Sequence, residues 1–465
     1  MNNARKSSFL PLCLFVSLTF VCFAFAIEAH GAEGQGETHT EKLIFGVVSD
    51  VHVRNDYPKY LEEAFDFLCK KGVDAVALCG DIANTGNSNE LCRAGAAWDA
   101  VFPGDKAPDG RPVEKIFIFG NHDSYTQSAT PISKNRAGAW RAAFHEEWAP
   151  VYAKEVKGYT FIAAHWGHER ETAAFVKENG EKLHLRDNRP FFHVQHPYPA
   201  NTLYTPTRWG SDVGAAAAAY GSYSNAVVFS GHTHEPLTDE RAIWQGSFTS
   251  IGAASLYYVY ANPKCENGTN RKKGLVQQMQ SVRYSISKPC LIMRVFDDKM
   301  VCERWDIVRR EKFGPDRVIP LDGSRPYAFE PRIAAVIPPE FPDGAAVSFS
   351  TAMGKDRNGH PSEQVTITFP AAKPSATSRV YRYEVQALAD RDGRDTPVLT
   401  NFFFSEAFFL APSNEPATGR CVIAASALPT NEVVRFAVYP AECFGKKGKA
   451  IISEPWRRTD TPPAE

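Results

Sequence analysis

The chain has 465 residues and a formal net charge of -1, with 43% hydrophobic and 23% charged residues. That length suggests two or three domains with ample chain for a core. The balanced charge excludes a strongly basic nucleic-acid binder and an acidic disordered chain, and 32 glycines and 32 prolines exclude a collagenous or low-complexity protein.

At the N-terminus, Arg5 and Lys6 precede an apolar run from Phe9 to Ala26, and Ala24-Phe25-Ala26 offers a small-x-small pattern. This is the layout of a secretory leader. Residues 1–32 are therefore expected to be a signal peptide, cut between about 26 and 32, and the protein to be exported: periplasmic, secreted or at the cell surface. No later segment is long and apolar enough to span a bilayer, so the mature chain is expected to lack a membrane span. Of ten cysteines, Cys13 and Cys22 lie in the leader. An oxidising destination permits disulfides among the rest, with Cys290–Cys302 and Cys421–Cys443 the first pairs to consider.

The first half alternates buried strands with amphipathic helices. Leu43–Ser49, Val73–Leu78, Val113–Phe119, Phe191–Gln195 and Ala226–Ser230 are continuous apolar runs, the pattern of strands covered on both faces. Between the first two, Tyr57–Lys71 places Leu61, Ala64, Phe65 and Leu68 on one helical stripe; Leu91, Trp98 and Phe102, then Trp140, Phe144 and Trp148, continue the pattern. This alternation predicts an α/β layered fold. Beyond about residue 280, Leu291–Phe296 and Met300–Ile307 read as a hairpin around Asp297-Asp298-Lys299. From about 330 strict alternation takes over, as in Val365, Ile367, Phe369 and in Tyr381, Tyr383, Val385, which predicts a C-terminal all-β sandwich over 330–465. The proline-rich stretch Pro331–Pro342 reads as the joint.

Each of the five strands ends in polar residues able to hold a metal: Asp50-Val51-His52, Gly80-Asp81, Gly120-Asn121-His122-Asp123, His196-Pro197 and Gly231-His232-Thr233-His234. Ligands of open α/β sheets sit beyond the carboxyl ends of strands, so these groups are expected at one rim. Asp50, Asp81, Asn121, His52, His196, His232 and His234 supply seven oxygen or nitrogen donors without thiolate. That is too many for one tetrahedral site and suits two cations of the manganese, iron or zinc class. One carboxylate must bridge them, and Asp81, central in the expected strand order, is the natural choice.

With D-x-H, G-D, G-N-H-D, H-P and G-H-T-H in this order, the chain resembles the calcineurin-like metallophosphoesterase family from about Leu43 to Trp244. The resemblance implies two stacked mixed β-sheets flanked by helices, over residues 33–325. It implies two divalent or trivalent metal ions, and hydrolysis of phosphate mono- or diesters by a metal-activated hydroxide. By motif position, Asp50, His52, Asp81 and His234 would hold one metal, and Asp81, Asn121, His196 and His232 the other. His122 would assist the leaving oxygen, Asp123 would orient His122, and Asn121 would touch phosphate as well as metal. Many members have an acid three positions after the second-motif aspartate; Asn84 stands there in this chain.

Other residues carry plainer readings. His165, closing the apolar run Tyr159–Ala164, reads first as a hydrogen-bonded structural histidine and second as a candidate for the substrate side. His193 precedes His196 by three and points to the opposite face of an extended strand, while His145, His168 and His184 read as surface residues. For Trp209, Tyr220, Trp244, Tyr257 and Tyr258 core packing is the default reading, with a substrate wall the alternative. Two rival functions stand beside hydrolysis: a metal-binding protein without catalysis, which leaves His122 without a task, and a surface-adhesion protein acting through its C-terminal sandwich. That sandwich resembles a fibronectin type III-like domain around Glu432–Pro440 and Lys446–Pro455. Nothing in the pattern sets an oligomeric state.

Overall fold

The computed structural model describes residues 40–54, 59–126, 128–203, 210–261, 282–356 and 358–458, the stretch 282–284 by its backbone alone. The expected leader, Trp209 and Cys265 lie outside the described residues.

Strands β1 (Leu43–Val48), β2 (Ala75–Leu78) and β3 (Glu114–Phe117) pair in parallel, each followed by a helix: α1 (Lys59–Lys70), α2 (Ser88–Val101) and α3 (Arg136–Phe144). A second sheet holds β4 (Val151–Val156), β5 (Tyr159–Ala164), β6 (Phe191–Val194), β7 (Ala226–Ser230), β8 (Ile243–Gln245) and β9 (Thr249–Gly252). Its order is β4-β5-β6-β7-β9-β8, with parallel pairing from β5 through β9 and antiparallel edges. Helices α4 (Thr172–Asn179) and α5 (Ala215–Tyr220) connect its central strands. After the short pair β10 (Val259–Ala261) and β11 (Val282–Tyr284), the expected hairpin forms as β12 (Pro289–Val295) and β13 (Lys299–Asp306). It joins the first sheet antiparallel to β1, and β14 (Glu311–Lys312) and β15 (Arg317–Pro320) follow on β13.

The two sheets stack face to face because their side chains alternate. In β1, Phe45 and Val47 enter the core between the sheets with Ala77, Ile116, Phe161, Phe192, Phe229 and Ile251, while Val48 turns to the helix side with Phe65, Trp98 and Phe117. The Phe45 ring centroid lies 5.0, 4.6 and 5.6 Å from those of Phe161, Phe192 and Phe229. The stripe Leu61, Ala64, Phe65 and Leu68 is the buried face of α1, as the sequence predicts. Val176, Ala216 and Tyr220 cover the outer face of the second sheet. The region is thus helix, sheet, sheet, helix.

The C-terminal strands are β16 (Ser348–Lys355), β17 (Pro361–Pro370), β18 (Arg382–Arg391), β19 (Arg394–Phe404), β20 (Thr418–Ala424), β21 (Val433–Ala441), β22 (Ile451–Ile452) and β23 (Trp456–Arg457). They form antiparallel sheets of order β16-β17-β20 and β19-β18-β21-β22, with β23 also on β21. Val365, Ile367 and Phe369 meet Val385, Val434 and Phe436 between them. The other face of the larger sheet is not solvent. Arg382 and Glu384, the polar half of the alternation, are buried on the side of Phe402 and Phe404, which join the core of the first region together with Tyr381, Phe408 and Phe444.

The stretch read as the joint begins within a helix, α6 (Phe329–Ala335), with Pro331 in its first turn, where no amide donor is needed. One expectation is corrected. Neither first-considered cysteine pair is bonded; all four thiols are free. Cys290 faces the helix side of the first sheet and Cys302 the inter-sheet core, while Cys421 and Cys443 belong to different cores.

Candidate metal centre

The parallel strands bring five carboxyl ends to one rim. Hydrogen bonds continue past the strands and fix it: Asp50 N–H donates to the Gly80 carbonyl at 3.0 Å, His52 N–H to the Asp81 carbonyl at 3.0 Å, and Gly231 N–H to the His196 carbonyl at 3.0 Å. Asp50, His52, Asp81, His232 and His234 all have positive φ, at 50°, 51°, 51°, 69° and 57°. Non-glycine residues rarely adopt this conformation, and it clusters where side chains must be aimed against the chain's preference. The glycines that precede three of the motifs serve two ends: Gly80 has φ 89°, whereas Gly120 and Gly231 do not have positive φ and instead permit close approach. A Cβ on Gly120 would strike the Asp81 carboxylate, and one on Gly231 would strike Ser49 and Asp50.

All seven expected donors converge. Asp50, His52 and His234 form one group: His234 Nε2 lies 2.9 Å from Asp50 Oδ1 and 3.4 Å from His52 Nε2. Asp81, His196 and His232 form another, with His196 Nε2 3.4 Å from Asp81 Oδ1, 3.1 Å from His232 Nδ1 and 3.0 Å from Asn121 Oδ1. Asp81 stands between the groups, its Oδ2 3.8 Å from His52 Nε2. Asp50, His52, Asp81 and His196 are each at most 3% exposed.

The far ring nitrogens decide what these groups present to one another. His196 Nδ1 is 2.7 Å from the Cys79 carbonyl and His234 Nδ1 is 3.0 Å from the Tyr258 carbonyl. A carbonyl only accepts, so each Nδ1 carries a proton and Nε2 is the ring nitrogen turned inward. Imidazole nitrogens, carboxylate oxygens and an amide oxygen then face each other within hydrogen-bond distance, where each Nε2 holds either a proton or a cation. Asp50 Oδ1 is a buried acceptor without a hydrogen-bond donor. Cations satisfy such a set, and its nitrogen and oxygen chemistry fits borderline divalent or trivalent metals.

Charge follows the same geometry. Burial works against the Asp50 carboxylate, yet His234, His196 and His52 hold it well below the usual carboxylate range. Burial also opposes protonation of His196, but Asp81 and Asp50 lift it to about 10. Burial carries His52 down to about 3, and burial with the neighbouring His196 carries His232 to about 4.

His122 sits beside the donors, its Nε2 4.0 Å from Asp81 Oδ2 and its N–H donating to Asp81 Oδ1 at 2.8 Å. Its orienting partner is not Asp123. His122 Nδ1 lies 2.8 Å from the Asn84 carbonyl, whereas Asp123 accepts from the N–H groups of Ile82, Ala83 and Gly120 at 3.1, 2.6 and 2.7 Å. Burial and the neighbouring Asp81 push Asp123 up to about 7. The expected task for Asp123 is therefore corrected: it buckles two loops together beneath the site. Asn84 matters through its backbone, which its side-chain identity could not reveal.

His165 is also corrected away from the substrate side. It is buried among Phe119, Trp140, Trp148 and Tyr152, accepts from Phe119 N–H at 2.9 Å, and falls to about 3 through burial. His193 turns to the outer face of its sheet beside Tyr220. Tyr220 and Trp244 pack in the helix-side core, whereas Tyr257 and Tyr258 flank His52 and His234 at 5.3 and 4.4 Å. Trp166, 5.6 Å from His196 and 5.5 Å from His232, and Tyr125, 4.5 Å from His122, complete the aromatic rim. The last two escaped the sequence reading, though both lie within three positions of a site or strand-end histidine.

Residues 43–236 match the family model of the calcineurin-like phosphoesterases. No curated protein matches the chain. Among solved structures, a conserved uncharacterized protein of Streptococcus pneumoniae TIGR4, titled a predicted phosphoesterase, is similar at 15% identity and TM-score 0.28, covering 60% of this chain and 97% of that one. The purple acid phosphatase PPD1 of yellow lupin is similar at 13% identity and TM-score 0.37, covering 60% and 53%. GAP50 of Plasmodium, titled the anchor in the inner membrane complex, is similar at 12% identity and TM-score 0.37, covering 60% and 88%. Every converged donor falls inside residues 43–236, the segment of this chain that is similar to the calcineurin-like phosphoesterase model.

Proposed function

We propose that the protein is an exported hydrolase of phosphate mono- or diesters that works with two metal ions, Asp50, His52, Asp81 and His234 holding one and Asp81, Asn121, His196 and His232 the other. The observation that carries this reading is the inward convergence of nitrogen and oxygen donors on both sides of Asp81. Two cations held there supply Lewis acidity toward phosphoryl oxygens and make water a competent nucleophile near neutral pH. The chain's own residues do the rest. Asn121, next to His196, is placed to touch a phosphoryl oxygen as well as a metal. His122 keeps its proton on Nδ1 through the Asn84 carbonyl when neutral, and when doubly protonated it offers Nε2–H to the leaving oxygen. The aromatic rim of Trp166, Tyr257 and Tyr258 orients the ligand rings and limits the directions from which an ester can enter. Export and a type III-like C-terminal sandwich belong to this reading, the first on the basic-then-apolar N-terminus and the second on the antiparallel sheets after residue 348.

The test is hydrolysis of p-nitrophenyl phosphate and bis-p-nitrophenyl phosphate by metal-loaded protein. The wild type is expected to turn over at least one of them, and Asp81→Asn to lose metal together with activity by about a hundredfold or more. Full activity in Asp81→Asn contradicts the proposal.

A further inference from the structure

Arg54 follows His52 by two positions and is exposed at the rim. Its guanidinium lies over the Tyr257 ring, 4.8 Å from the centroid, and that ring lies 5.3 Å from His52. The platform is fixed from beneath. Tyr257 N–H donates to the Asp50 carbonyl at 3.1 Å and to Ser255 Oγ at 3.1 Å, and buried Lys288 donates to the Tyr257 carbonyl at 2.8 Å. Arg93 donates to the Arg54 carbonyl at 3.1 Å, which brings a second cation beside the first. Among the described residues no carboxylate stands within ion-pair distance of either arginine.

A guanidinium held over a ring face keeps N–H groups at its edge free to bond an anion. The position relative to the chemistry is informative. The His52 ring that Tyr257 flanks also meets His122 edge-on at 4.5 Å, so the His52 ring links the platform beneath Arg54 to the group assigned to the leaving oxygen. The other donor group, His196 and His232, is flanked by Trp166. We propose that the organic group of the substrate carries an acidic substituent, which Arg54 on Tyr257 receives. This rests on the phosphoester reading above and adds the substrate class to it.

The experiment compares 4-carboxyphenyl phosphate with 4-carbamoylphenyl phosphate on metal-loaded wild type, Arg54→Gln and Arg54→Lys. The wild type is expected to prefer the carboxylate ester by about tenfold in kcat/KM, mainly through KM, one charge-assisted contact's worth of discrimination. In Arg54→Gln the loss on the carboxylate ester is expected to exceed the loss on the carboxamide ester by that factor, and Arg54→Lys to recover part of it. Hydrolysis of both esters with the same ratio in wild type and Arg54→Gln overturns the inference and leaves the phosphoester reading standing. The same two phenols are also supplied as methyl phosphodiesters, and hydrolysis of none of the four esters by the wild type overturns both.

Discussion

His122 and Asp123 are adjacent in sequence, yet their surroundings assign them opposite work. His122 is partly exposed beside Asp81, and Asp123 is buried under three backbone donors. His122→Ala is therefore expected to keep its metals and lose about 10²–10⁴ in turnover, most on esters with poor leaving groups. Asp123→Ala strands three buried N–H groups, for an expected loss of about 3 kcal/mol or more in urea unfolding. A leaving-group dependence altered by the Asp123 variant, with stability untouched, would reverse the assignment. The buried histidines give a pH signature. Burial lowers His165 to about 3 and His193 to about 4 from an ordinary 6.5. Between those values the unfolded chain binds more protons than the native one, so stability rises with pH. It should be fully present above about 6.5 and fall on acidification towards 4, each group contributing up to about 1.4 kcal/mol per pH unit. His193→Phe is expected to flatten the slope of melting temperature against pH over this window; an unchanged slope contradicts the account.

The strand ends were legible because parallel strands buried on both faces must be continuous apolar runs, so the polar residue closing each run stands out. Asp50, Asp81, Asn121, His196 and His232 could be placed at one rim on that ground alone. What stayed hidden has physical causes. Strand β9 reads as Thr-Ser-Ile-Gly but is wholly buried beside β7, its polar letters satisfied by neighbours rather than water. Strand β4 is an edge whose middle is half-exposed, so it lacks the apolar run. The left-handed backbone at five donors is a property of the assembled rim that no residue type announces. Gly120→Ala tests that rim: the added Cβ presses on the Asp81 carboxylate, so metal content is expected to fall while far-ultraviolet circular dichroism stays native. Unchanged metal content would show that the close approach carries no function.

The alternation after residue 330 predicted a sandwich, and its inner face is one. The alternation did not show that the outer face of the larger sheet is also covered, because polar letters at Arg382 and Glu384 look like solvent positions in any single strand. Tyr381, Phe402, Phe404 and Phe408 instead share a core with the first region, Arg241 stacks on Tyr381 at 4.8 Å, and Ser287 Oγ and Thr238 Oγ1 donate to the Phe409 and Phe408 carbonyls. A chain ending at residue 325 uncovers that core and is expected to be insoluble or to melt well below the full protein; equal melting temperatures would show the two regions to be independent. Everything proposed about chemistry depends on two cations at the rim. The most direct measurement is metal per chain, by inductively coupled plasma mass spectrometry, on protein loaded with manganese, iron or zinc and freed of excess. The account predicts about two per chain in the wild type, with one or both lost in Asp81→Asn. A wild type that holds none, or an Asp81→Asn variant that holds the wild-type amount, would contradict it.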